Sequence, residues 1–122
     1  MWLTIPEEID QTKGDSMSKA VIVTVSGTKS VIDFPGEDAY KTLSSAVEGY
    51  IQPVYLPSKE VDMWVHEEGK IINLPINSFG TELWEENYGF SDVILGNIII
   101  TGLTDDNGDT LGLTDEQVSM FV

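Results

Sequence analysis

Apolar residues recur along this chain in two rhythms, a period of two that marks strands and a period near 3.6 that marks helices. The β-branched run Val21-Ile22-Val23-Thr24-Val25 predicts a strand over 20–25. A turn at Ser26-Gly27-Thr28-Lys29 and the returning run Val31-Ile32-Asp33-Phe34 complete a hairpin. After Pro35-Gly36 the spacing of Ala39, Tyr40, Leu43, Ala46 and Val47 predicts a helix over 37–47, with Gly49 just past its end. The segment 50–56 alternates Tyr50, Gln52, Val54 and Leu56 against Ile51, Pro53 and Tyr55. Its internal Pro53 assigns it to a sheet edge or a bulge, because proline cannot donate to a ladder.

The next strand is 61–65, and the turn His66-Glu67-Glu68-Gly69-Lys70 leads to Ile71-Ile72-Asn73-Leu74, a second hairpin. A short helix follows, capped by Asn77 or Ser78, with Phe79, Leu83 and Trp84 inward and Glu82, Glu85 and Glu86 toward solvent. The most apolar stretch, 92–103, predicts a central strand with a bulge at Gly96-Asn97. Beyond an acidic turn over 104–109, Thr114-Asp115-Glu116-Gln117 matches a capping box that opens a last short helix through Val118 and Phe121. The sum is an α+β fold: a small, mostly antiparallel sheet of five or six strands, two hairpins plus a central apolar strand, with two or three short helices packed on it. Residues 20–122 form the single domain. Residues 1–19 are polar and irregular, an extension or a loosely docked arm.

Composition narrows the function more than the motifs do. The chain has 122 residues and no cysteine, which removes disulfides, thiolate metal sites and cysteine nucleophiles. There are 21 acids against six lysines, a formal net charge of −15, and no arginine. Such a surface repels a phosphate backbone and lacks the bidentate clamp that reads it, so direct nucleic-acid binding is excluded. The imbalance is lopsided: residues 60–122 carry thirteen acids and only Lys70. No apolar run is long enough to span a membrane, and the first ten residues lack the pattern of a signal peptide, so the expected location is the cytoplasm.

Chemistry-bearing clusters are few. Asp105, Asn107, Asp109 and Glu116 occupy the first, third, fifth and twelfth places of a calcium-loop pattern. Thr110 stands where that loop needs glycine, and a strand precedes it instead of a helix, so the plainer reading is an exposed turn. His66, the only histidine, precedes Glu67 and Glu68, but neighbours in a tight turn point apart and no nucleophile motif accompanies them. No phosphate-cradling glycine loop exists. The expectation is a protein that is not an enzyme and needs no cofactor. Glu82, Glu85, Glu86 and Asp92, with Asp105, Asp106 and Asp109, are the acidic binding surface this reading favours, and Trp64, Trp84 and Tyr88 its aromatic anchors.

The pieces Val47-Glu48-Gly49-Tyr50-Ile51, His66-Glu67-Glu68-Gly69-Lys70, Leu74-Pro75-Ile76-Asn77, Asp92-Val93-Ile94-Leu95-Gly96-Asn97 and Gly112-Leu113-Thr114 resemble, in this order, an uncharacterised phage and plasmid family, the domain of unknown function numbered three-eight-four-six. The chain departs from the pattern at Glu48 and at His66, keeping the turn glycines. The resemblance implies an accessory protein of a phage or mobile element with an α+β fold, and carries no catalytic residue. The leading expectation is therefore an acidic protein that engages a host protein, a defence or nucleic-acid-handling factor, and inhibits or redirects it. One alternative is a small-molecule binding domain with a cleft near Tyr50, Trp64 and Trp84. Another is an interaction protein with no inhibitory role. A homodimer is the further partner considered, through an edge strand such as 21–25.

Overall fold

The computed structural model describes residues 19–35 and 38–122; the expected arm over 1–18 lies outside them. Five strands of the described residues form one antiparallel sheet in the order β2-β1-β5-β4-β3, where β1 is Lys19–Val23, β2 Lys29–Asp33, β3 Ile51–Leu56, β4 Val61–His66 and β5 Ile98–Thr101. Among the described residues three short helices pack on it: α1 is Ala39–Val47, α2 Ser78–Tyr88 and α3 Asp115–Val118. Lys19, assigned from sequence to the arm, opens the first strand.

Strand β5 is central because all four of its residues are buried on both faces. It pairs with β1 through Ile22↔Ile99 and with β4 through Trp64↔Ile99. The alternation of β4 divides the core. Val61, Met63 and Val65 face one way and join Val21, Val23, Leu56, Leu83, Ile98, Ile100, Leu113 and Phe121 beneath α2 and α3. Trp64 faces the other way and joins Ala20, Phe34, Leu43, Val47 and Ile99 beneath α1. A three-layer order results, helix on sheet on helices.

Two expected elements are replaced. Residues 67–73 are turns, so 71–74 is not a strand, and the second hairpin is β3–β4, joined at Pro57–Glu60 and in register from Ile51↔His66 to Leu56↔Val61. Ile71 and Ile72 are consequently exposed. The expected strand over 92–103 begins only at Ile98; before it, a single bridge joins Leu95 to Ile76. Gly96, at φ 85°, takes the chain out of extended geometry there. The edge strand imagined at 21–25 is interior, flanked by β2 and β5.

Local capping explains the helix ends. Asp38 accepts the N–H of Lys41 at 3.1 Å and so starts α1 at Ala39, two residues inside the expected span 37–47. Asn77 caps α2, and Thr114 with Gln117 forms both halves of the expected capping box on α3.

Candidate functional site

At one end of the sheet, loops from distant parts of the sequence tie into a single knot whose centre is Asn77. This side chain is 1% exposed. Its oxygen accepts the N–H of Gly80, while its amide donates to the carbonyls of Val23 at 3.0 Å and Gly96 at 2.9 Å. One residue therefore starts α2, ends β1 and fixes the approach to β5. The backbone completes the knot: Asn77 N–H donates to Ile94, Gly96 N–H to Pro75 and Leu74 N–H to Gly69. The reading from sequence found Asn77 as a cap but not as a hub, because Val23 is 54 positions away.

His66 closes β4 at this same end. Its Nδ1 accepts the N–H of Glu68 at 3.0 Å, and its ring lies against Gly49, where a Cβ would overlap the imidazole. Gly49 is glycine for this close approach. The left-handed residue ending α1 is Glu48, at φ 65°. The His66 ring makes no hydrogen bond to a carboxylate among the described residues, so the pairing of a base with an acidic orienter is not formed.

On the far side of His66 a cleft of about 280 Å³ opens between β3, β4, α2 and the loop 92–95. Trp84, Ile71 and Val93 supply its apolar wall, and Lys70 and Asp92 cross it as an ion pair. The Lys70 ammonium, then the N–H of Val93, holds the Asp92 carboxyl below the usual carboxylate range. Tyr88 packs on Trp84 with ring centroids 4.5 Å apart, and its hydroxyl donates to the carbonyl of Tyr55. Trp84 Nε1 donates to Ser91, and Ser91 to the carbonyl of Tyr88, which pins the loop carrying Phe90. Phe90 is 91% exposed and Ile71 82%. Sequence reasoning missed both, since Ile71 was read as part of a strand and Phe90 as part of a loop, and neither as a surface.

The expected anchors separate. Trp64 is buried on the α1 face with its Nε1 donating to Thr101 at 2.9 Å, so it is a core residue and faces away from Trp84 across the sheet. A cleft shared by Tyr50, Trp64 and Trp84 is therefore not built. Trp84 and Tyr88 are together at the surface. The expected acids also divide. Glu82, Glu85 and Glu86 line α2, with Glu86 paired to Lys59 at 2.8 Å. Asp105, Asp106 and Asp109 lie on the turn after β5, beyond the strand end opposite Asp92. Asp105 is occupied within that turn, its carboxylate accepting the N–H groups of Asn107 and Asp109 at 2.9 Å. This satisfied Asx turn accounts for the Asp-Asp-Asn-Gly-Asp spacing. Among the described residues no group of three or more His, Asp or Glu is placed to hold a metal ion.

A family model described as a domain of unknown function, DUF3846, matches residues 17–122. The chain belongs to that family. In this DUF3846 member most of the segments that carried the resemblance meet at one place: Gly49, His66, Gly69, Leu74, Asn77, Leu95 and Gly96 all belong to the Asn77 knot or touch His66. No curated protein and no solved structure matches it. Among the described residues no helix is long and apolar enough to cross a membrane.

Proposed function

We propose that this DUF3846 protein is a non-enzymatic binding protein, encoded by a phage or mobile element, that engages a host protein and blocks or redirects it. The contact surface is the outer side of α2 with its flanking loops. Phe90, Ile71, Val93, Trp84 and Tyr88 form its apolar part, and Glu82, Glu85, Glu86 and Asp92 stand around them. The observation that carries the reading is Phe90, a phenyl ring 91% exposed on a loop fixed by two hydrogen bonds. Large aromatics held in the open, among charges that are mostly acidic, favour a protein interface with apolar anchors and steered encounter. A host protein with a basic, nucleic-acid-handling surface complements the net charge of −15.

Capture from host lysate by the wild-type chain and by the double variant F90S/I71S tests this reading. A protein retained by the first and lost from the second supports it. Equal capture by both overturns the assigned surface. With a captured partner in hand, E82K/E85K should slow association and weaken its salt dependence while leaving dissociation nearly unchanged.

A further inference from the structure

The sheet ends in two edges of opposite character. On the β3 side, Glu67 N–H donates to the carbonyl of Tyr50 at 2.8 Å. Hydrogen-bonded pairs alternate along an antiparallel ladder, so the backbone groups of Ile51, Pro53 and Tyr55 point outward. Pro53 has no N–H to offer, and the carbonyl of Tyr55 already accepts the Tyr88 hydroxyl. That edge is blunted at Pro53 and Tyr55.

On the other side, Thr24 N–H donates to the carbonyl of Thr28 at 3.0 Å. The same alternation makes Val23–Lys29, Val21–Val31 and Lys19–Asp33 the non-hydrogen-bonded pairs of the β1–β2 ladder. The backbone N–H and C=O groups of Lys29, Val31 and Asp33 therefore point away from β1, and no strand among the described residues pairs with them. Val31 is 47% exposed at the middle of this edge.

We infer that β2 is the docking edge for a second copy of this chain, the two β2 strands pairing antiparallel about a twofold axis through Val31. In that register Lys29 stands opposite Asp33 of the second copy, Asp33 opposite its Lys29, and Val31 opposite its Val31. All three facing pairs have outward backbone groups, so each exchanges two hydrogen bonds, about six in all. The side-chain charges match at both ends of the strand, where the exposed Asp33 carboxylate also takes the ammonium of its own Lys19 at 3.0 Å and the Lys29 ammonium stands over the Phe79 ring. A slip of two residues in either direction loses both charge pairs, and a parallel arrangement sets Lys29 beside Lys29, so the register is selected. Residues 19–47 hold three lysines and three acids, no net charge, in a chain of net −15. This edge is thus a place where two strongly acidic molecules approach without local repulsion. The α1 face adds apolar contact, because Ile32 and Ile22 floor an open groove beside the strand, bordered by Thr42 and Ser45 of α1. Pairing brings the two grooves together across the axis.

Sedimentation of the full chain, taken up to a concentration of about 1 mM, tests the inference. The wild type should reach a dimer. Val31→Pro removes an N–H that points away from β1, so it should leave the thermal unfolding cooperative and abolish the dimer. Lys29→Glu and Asp33→Lys should each raise the dissociation constant about tenfold, since each makes two like-charged pairs, and K29E/D33K should restore it. A wild type that stays monomeric overturns the inference. So does a dimer that survives Val31→Pro, or charge variants whose double form is no stronger than the singles.

Discussion

The two faces of the sheet are covered to different degrees. Beneath α2 and α3 twelve buried residues interlock, eight from four strands, Leu83 from α2, and Ile94, Leu113 and Phe121 from the irregular segments, and Phe121 plugs the layer at 2% exposure. Beneath α1 six buried residues suffice. A helix of nine residues spans about 13 Å. It covers β5, β4 and β3 and leaves the β1–β2 hairpin beside an open groove of about 830 Å³. The first face holds the fold together, and the second has surface to spare.

Substitutions that probe each face in turn sharpen this contrast. Phe121→Ala should cost the most, about 3–5 kcal/mol, the range for emptying a buried aromatic site. Guanidinium unfolding followed by tryptophan emission measures it, and a loss under about 1 kcal/mol would mean that the α2–α3 face is not the stronger one. Asn77→Ala should follow at about 3 kcal/mol, because it strands the carbonyls of Val23 and Gly96 and the N–H of Gly80 in a dry site. Hydrogen exchange should show β1 and β5 losing protection together in that variant. Ile32→Ala, on the floor of the open groove, should cost only about 1 kcal/mol by the same unfolding assay.

The smallest change has the opposite sign. Asp62, 9% exposed on the α1 face of β4, has no hydrogen bond or ion pair to its side chain among the described residues, and burial raises its pKa above the ordinary 3.8. The folded chain thus holds this proton more tightly than the unfolded chain does. Its contribution to stability is greatest below pH 3.8 and falls as pH rises through the raised value. Asp62→Asn should therefore raise the melting temperature at pH 7, with the gain shrinking as pH falls through the carboxylate range. A gain independent of pH would assign the effect to something other than the charge.

What the sequence made legible was local. The first hairpin, the edge character that Pro53 confers, the centrality of Ile98–Ile100 and the capping box at Thr114 each depend on neighbours within a few positions, and each is present. The second hairpin was misassigned because β4 has apolar segments on both sides in sequence. The choice fell to β3, whose alternation lays Val54 and Leu56 against the core, whereas Asn73 at φ 59° breaks 71–74. Family membership was legible for the same reason, from short pieces around turns. The Asn77 hub was not, since a cap looks the same whether or not its amide also reaches a strand 54 positions away. Nor was the opposite facing of Trp64 and Trp84, which depends on which side of the sheet α2 crosses.

Pro53 and the Tyr88 hydroxyl, by blunting one margin of the sheet, also limit what the other margin can build. A molecule with two receptive margins adds copies end to end without limit and grows into fibrils. With one margin receptive, the twofold pairing inferred for β2 would consume it, and growth would stop at two.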